Sequence, residues 1–282
     1  RAHPTGAPDM NRPLTPVQRH LQRHVAATLQ RTDAEAAPDH RHANAYELQL
    51  MQLAEHRRQL KAIQSIERKV ELKHKLLPLY DAWIDGSLAA DHGAQDEVLT
   101  TLLVWHIDCA SYPRALQVAE YALRHGLVLP DRYERSLACV LAEEIADAQL
   151  KGFDAGQPIE LTTVHRAIEL TDAHDMPDEV RAKLLKARGI ARLGKGDGYA
   201  TLAASITDLR RAHILHDKVG VKKLIEQTER KLKKITDTAA AQAPASAPIA
   251  PREPEAGGQE DSQNSPTPAP TSTPTPVEKG QA

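Results

Sequence analysis

Apolar residues recur at helical spacing through most of the chain, and this pattern predicts an all-α body. The first helix is predicted to begin with Thr15 as N-cap and Pro16 at its first position, and to end near Gln30. Its predicted apolar face consists of Val17, Leu21, Val25 and Leu29. Residues 1–13 are predicted to be a disordered leader, and residues 14–42 a basic N-terminal helix followed by a hinge.

A long segment without proline or glycine runs from Asn44 to Lys75. Asn44 and Glu47 are spaced as a capping pair, which predicts the start of a helix of about 30 residues and about 45 Å. Apolar residues follow at heptad-like steps: Leu53, Leu60, Ile63 and Val70. Because such a long helix cannot bury its apolar side alone, we predict that residues 43–76 form an assembly helix with these four residues as its oligomerisation seam.

Shorter helices are predicted further along the chain. Residues 77–152 include the most apolar segment, around Trp105, and are predicted to form a helical core. Residues 153–235 contain four helical patterns separated by Gly, Pro or Asp breaks. These patterns predict tetratricopeptide-like hairpins, with an irregular helical domain as the alternative. Residues 236–282 are rich in Ala, Pro, Ser and Thr and are predicted to be a disordered tail.

Charge is distributed unevenly, although the formal net charge is only −2. Four arginines and no acidic residue occur between residues 12 and 31, and basic residues outnumber acidic ones by eight to four between residues 41 and 75. Phosphate neutralisation requires several Lys or Arg side chains on one surface, so both segments are candidates for DNA contact, with a solvated charged face as the alternative. The candidate DNA-binding residues are Arg19, His20, Arg23, His24, Arg31, Arg57, Arg58, Lys61, Arg68, Lys69, Lys73 and Lys75.

A last basic run closes the final predicted helix near Ile235. It consists of Lys222, Lys223, Arg230, Lys231, Lys233 and Lys234. Cations near a helix C-terminus are favoured by the helix dipole, which offers a purely structural interpretation of this run.

Residues for catalysis are harder to find. The segment GKGDG lacks the spacing of a phosphate-binding loop, and the two cysteines argue against a cysteine-rich zinc site. Hard oxygen ligands for magnesium are available at Asp81, Asp85, Asp91, Asp96 and Glu97, but such residues also serve as helix caps. We therefore predict no resident metal or cofactor and assign no catalytic residue. Magnesium is expected only if the protein is an endonuclease.

Several blocks, in order and at similar spacing over about residues 14–235, resemble the small terminase subunit of temperate myophages of the P-two type. These blocks are LTPVQRHLQRH, NAYELQLMQLAEHRRQLKAIQSIERKVELKHKLLPLYDAWIDG, GAQDEVLTTLLVWHID, RALQVAEYALRHGL and MPDEVRAKLLK. The resemblance implies a viral DNA-packaging protein that binds double-stranded phage DNA at the packaging site. It also implies a homo-oligomer that positions this DNA for a large terminase ATPase subunit.

The family is commonly labelled the terminase endonuclease subunit, so a metal-dependent DNA endonuclease is the first alternative. A helical-repeat adaptor that binds only protein is the second. Since the chain has no apolar run long enough to cross a membrane and no signal peptide is predicted, we expect it in the cytoplasm of the infected bacterial host, away from membranes.

Overall fold

The computed structural model describes residues 11–29, 40–130 and 134–242. Within these ranges the chain forms helices and no strand, which confirms the predicted all-α class. None of these helices is both long and apolar enough to cross a membrane. The α-helices are α1 (Pro16–Leu29), α2 (His40–Ala62), α3 (Ile66–Leu76), α4 (Asp81–Ala90), α5 (Glu97–Asp108), α6 (Tyr112–Arg124), α7 (Leu137–Asp154), α8 (Leu161–Thr171), α9 (Asp178–Leu193), α10 (Tyr199–Leu215) and α11 (Lys222–Gln242), with 3₁₀ turns at Leu77–Leu79 and Asp217–Val219.

The predicted continuous helix over residues 43–76 is wrong at both its start and its middle. α2 begins at His40, so Asn44 lies inside the helix and does not cap it. The chain leaves the helix at residues 63–65, and the Ser65 hydroxyl accepts a hydrogen bond from the Arg68 backbone N–H at 3.3 Å. Ser65 is therefore the N-cap of a new helix, α3. No glycine or proline marks this break, so apolar spacing alone did not reveal it.

The predicted oligomerisation residues lie against the chain's own core. Leu53 and Leu60 are 0% and 8% exposed, and Val70 packs against the same core. Ile63 is partly buried at the break between α2 and α3. The chain thus covers Leu53 and Leu60 itself, and covers Ile63 and Val70 in part.

The most apolar segment of the sequence is also the most buried part of the structure. Every residue of α5 from Val98 to Ile107 is buried. Around it, the ring of Tyr46 in α2 stacks on Trp83 in α4 at a centroid distance of 5.8 Å, and His56 Nδ1 lies 2.8 Å from the Tyr80 hydroxyl oxygen. These aromatic contacts tie α2 and α4 to the centre of the core.

The four helical patterns predicted beyond residue 153 correspond to α8, α9, α10 and α11. A five-residue turn, 194–198, connects α9 to α10, and Gly189 allows the two helices to approach closely. A Cβ at Gly189 would lie only 2.7 Å from Leu209 Cγ, and the Ser205 hydroxyl donates to the Gly189 carbonyl at 2.8 Å. The Arg188 guanidinium holds the buried Asp208 carboxylate across the same contact at 2.7 Å.

α11 continues to Gln242, seven residues beyond the predicted end of the helical body at Ile235. The segment TDTAAAQ contains neither glycine nor proline, so the sequence itself could have predicted that the helix continues to Gln242. The remainder of the predicted tail, 243–282, and residues 1–10 of the predicted leader lie outside the described residues.

Candidate nucleic-acid interface

α1 combines a well-defined start with an excess of positive charge. Thr15 Oγ1 accepts from the Gln18 N–H at 3.3 Å, while Gln18 Oε1 accepts from the Thr15 N–H at 2.8 Å. This reciprocal capping box fixes the first turn of the helix. The helix contains no acidic residue. Its exposed basic and histidine side chains are Arg19, His20, Arg23 and His24.

A glycine in α4 allows α1 to lie close to the core. A Cβ at Gly86 would be 2.2 Å from the carbonyl oxygen of Arg23 and 2.9 Å from the Cβ of Ala26. Val25 and Ala26 are buried in this contact region. Arg23 Nη2 also lies 3.7 Å from Asp85 Oδ2, although the arginine side chain remains about half exposed. The backbone of α1 is thus fixed while its basic side chains stay in solvent.

The predicted apolar face of α1 is only partly correct. Val25 is buried as predicted, but Val17 and Leu21 are 78% and 60% exposed. The side chain of Leu29 lies outside the described residues. Because α1 contacts Gly86 at Ala26, its buried side is centred on Val25 and Ala26. The first half of the predicted apolar face, Val17 and Leu21, is therefore exposed to solvent.

Three of the predicted DNA-binding cations on α2 and α3 are engaged with acids of the same chain. Arg57 Nη1 lies 2.7 Å from Glu97 Oε1, and its Nη2 donates to Thr101 Oγ1 at 2.6 Å. Arg58 pairs with Glu55 on α2. Lys73 pairs with Asp108, and its side chain is only 16% exposed. The contacts of Arg57 and Lys73 join different helices, so these two residues contribute more to packing than to a free basic surface.

The other predicted cations of this region do not form one uniformly basic surface. Lys61, Arg68 and Lys75 are exposed, and Lys69 is partly buried. Glu67 and Glu71 are exposed on the same short helix as Arg68 and Lys75, so α3 presents both signs of charge. Arg31 lies outside the described residues.

Asp96, one of the candidate magnesium ligands, serves as the N-cap of α5. Its Oδ1 accepts from the Leu99 N–H at 3.0 Å, and its Oδ2 accepts from the Trp83 indole N–H at 2.7 Å. Burial raises the pKa of this carboxyl, while the two N–H donors act in the opposite direction. Both oxygens are thus occupied by structural hydrogen bonds.

The neighbouring acidic residues are held by different partners. Asp85 pairs with Arg114, and Asp91 pairs with Arg124 and with His125, whose hydrogen bond is the main cause of the lowered pKa of Asp91. Burial raises the pKa of Asp81. Among the residues described, no three His, Cys, Asp or Glu side chains are arranged to hold a metal ion.

The fold and this surface define an all-α protein with an exposed basic N-terminal helix. Residues 50–179 match the family model described as phage small terminase subunit. The chain is 43% identical over 220 residues to the "Terminase, endonuclease subunit" of Escherichia phage P2, covering 78% of this chain and 86% of that relative. The chain belongs to the phage small terminase subunit family.

A more distant relative is the "Probable terminase, endonuclease subunit" of Haemophilus phage HP1. It is 27% identical over 198 residues, which cover 66% of this chain and 70% of the relative. No solved structure gives a significant match to the chain. Family membership confirms the predicted role of a small terminase subunit in viral DNA packaging. The family model begins at residue 50, so α1 lies before the segment that it covers.

Proposed function

We propose that the chain binds phage DNA at the packaging site through the exposed face of α1 and positions this DNA for the large terminase subunit. One observation carries the choice of surface: α1 has exposed arginines and no acidic residue. Exposed cations can replace the counterions of the DNA backbone, which provides the electrostatic part of binding. Arg23 stays about half exposed although it lies 3.7 Å from Asp85. The mixed charges of α3 support a smaller contribution from that helix.

The proposal predicts the behaviour of the variant R19Q/R23Q. Removing two phosphate contacts should weaken binding to packaging-site duplex and reduce the slope of log K against log salt by about two. Fluorescence anisotropy with labelled duplex measures both quantities. The matched control is R135Q/R166Q, which removes one exposed and one partly buried arginine that are paired with Glu143 and Glu120 elsewhere in the fold.

The control should retain the wild-type slope because Arg135 is paired with Glu143 of α7 and Arg166 with Glu120 of α6. If R19Q/R23Q binds as tightly as the control at every salt concentration, α1 is not the DNA-binding surface. Circular dichroism should show equal helix content in both variants, because all four side chains lie on the surface.

The relatives' names favour endonuclease activity as the second candidate function. Two of the candidate magnesium ligands, Asp81 and Asp85, line a cavity of about 480 Å³ together with His106 and Arg114. Incubation of the purified chain with packaging-site duplex and magnesium, without the large subunit, tests it. Cleavage that is lost in D81N would support the endonuclease, and uncut duplex would exclude it under these conditions.

We also propose that the chain acts as a homo-oligomer. Large apolar side chains that are more than half exposed occur on α1 and α2, and they are Val17, Leu21, Leu48 and Met51. Exposed apolar residues of this size are common at subunit interfaces. Native mass spectrometry should give a multiple of the 31.0 kDa chain mass. A monomer mass both with and without DNA would contradict the proposal.

A further inference from the structure

We infer that the outer face of α11 is a second surface for the phosphate backbone of duplex DNA, separate from α1. The inference rests on the proposed function in one respect, namely that DNA is the polyanion which the chain binds. The outer face of α11 carries the exposed cations Lys222, Lys223, Arg230, Lys233 and Lys234.

The helix dipole does not explain these cations. The sequence suggested that the basic run ends the last helix, where positive charge is favoured. In the structure the run begins in the first turn of α11, and the last turn before Gln242 contains no basic residue. Lys222 and Lys223 therefore lie at the positive end of the dipole, where cations are disfavoured. The structural interpretation of this run is wrong.

The cations share one side of the helix. At 100° per residue, Leu224, Thr228 and Leu232 fall on the side of α11 that is buried or partly buried. The five cations fall on the opposite side, together with the acids Glu226 and Asp237. Five cations and two acids leave an excess of three positive charges on this face. Glu226 approaches Arg230 at 3.8 Å, which neutralises one cation in part.

Charged residues on the flanks of α11, unlike those on its outer face, form ion pairs with neighbouring parts of the chain. Lys231 Nζ lies 2.9 Å from Asp197 Oδ1 in the turn between α9 and α10. Glu229 on the same helix accepts from Arg210 of α10 at 2.6 Å. Charges that face neighbouring elements are thus paired, whereas the outward cations accumulate. This contrast indicates a surface directed at a ligand outside the chain.

The composition of the face favours DNA over a protein partner. Protein interfaces are usually centred on aromatic or large apolar side chains. The outward positions of α11 from Lys222 to Thr238 are occupied by charged and polar residues only. The cations from Lys222 to Lys234 extend over about 18 Å of helix, which is long enough to reach several phosphates of a duplex that carries one charge per about 1.7 Å.

The variant K223Q/K234Q tests the inference. The two lysines are exposed and lie three turns apart on the same side, about 17 Å along the helix axis. The control K183Q/K231Q removes the same charge from two lysines that pair with Asp147 and Asp197. Both are titrated with labelled duplex of unrelated sequence over a series of salt concentrations, because backbone contact is independent of sequence.

K223Q/K234Q should bind more weakly, with the slope of log K against log salt reduced by about two, while the control should keep the wild-type slope. If wild type binds DNA and both variants keep its slope, the inference is wrong and the proposed role of α1 is untouched. If wild type binds no DNA, the proposed function itself fails. If K223Q/K234Q loses only its affinity for the large terminase subunit, the face binds protein and the inference is overturned.

Discussion

His106 lies in α5 beside the cavity that Asp81 and Asp85 line, and it is only 4% exposed. Neither ring nitrogen has a hydrogen-bond partner within the described residues. Burial, and to a smaller extent the charge of Arg114, lowers the pKa of this histidine to about 4. The imidazole is therefore neutral in the folded protein throughout the physiological range, and folding carries a cost whenever the unfolded chain is protonated at this position.

The sign of this effect predicts acid sensitivity. The unfolded histidine has a pKa of about 6.5, so stability is lost as the pH falls from that value towards 4. Between pH 7 and pH 5 this group should lower the free energy of unfolding by about 2 kcal/mol. Urea unfolding at pH 7 and pH 5 measures the free energy of unfolding at each pH. The decrease from pH 7 to pH 5 should be about 2 kcal/mol smaller in H106L than in wild type. An equal loss in the two proteins would contradict the assignment.

From the sequence, the role of an individual polar residue could be predicted only where its hydrogen-bond partner is close by in the chain. The position of Asp96 just before a helical pattern is typical of a cap, and the hydrogen bond to the Leu99 N–H is local. Its second partner, the indole of Trp83, belongs to another helix, so only the packed structure brings the two together. The same holds for Arg57, which spacing alone placed on a basic surface and the fold pairs with Glu97.

Helices were predicted better than their boundaries and contacts. The start of α1 agrees with the prediction because Thr15, Pro16 and Gln18 carry a local capping signal. The break before α3 depends on Ser65, a weak signal inside a segment of strong helix formers. The contact of α1 with α4 depends on Gly86, which looks in the sequence like an ordinary small residue in a helix.

The variant G86A tests how α1 is held. A methyl group 2.2 Å from the Arg23 carbonyl oxygen forces the helices apart, and we expect a loss of about 1–3 kcal/mol in the free energy of unfolding. Weaker DNA binding should accompany it if α1 is the contact surface. The control is G152A in α7, where a Cβ would lie 3.4 Å from Gln157 Oε1 and 3.9 Å from Gln157 Cβ, both ordinary contact distances.

G152A should leave stability unchanged or raise it by up to about 1 kcal/mol, because alanine favours the helix. Hydrogen exchange can locate the damage in G86A. Faster exchange confined to α1 and α4 agrees with the packing described here, whereas stability and exchange equal to wild type would show that the two helices are not in tight contact.

At the scale of the whole molecule, the chain buries one side of α2, including Leu53 and Leu60, in its own core, and this changes how assembly can be probed. L53A should lower the free energy of unfolding by about 2–5 kcal/mol through the cavity that it creates. If Leu53 packs only within one chain, the difference between L53A and wild type should not depend on protein concentration. L48A, at an exposed position of the same helix that we propose as part of the subunit interface, is the contrasting variant: it should change monomer stability little, and any effect it has should depend on protein concentration.

Urea unfolding at two widely separated protein concentrations measures this difference. An effect of L53A that grows with protein concentration would return Leu53 to the subunit interface predicted from the heptad-like spacing. The sequence could not decide between these outcomes, because an apolar stripe has the same spacing whether it faces a neighbouring helix or a second copy.

The most direct measurement is an equilibrium titration of the wild-type chain with packaging-site duplex, without the large subunit, over a series of salt concentrations. A small terminase subunit that holds DNA through exposed basic helices should bind tightly at about 50 mM salt, and log K should fall linearly as log salt rises. Binding should also be tighter than to duplex of unrelated sequence. Absence of binding at low salt, or an affinity independent of salt, would contradict this description of the protein.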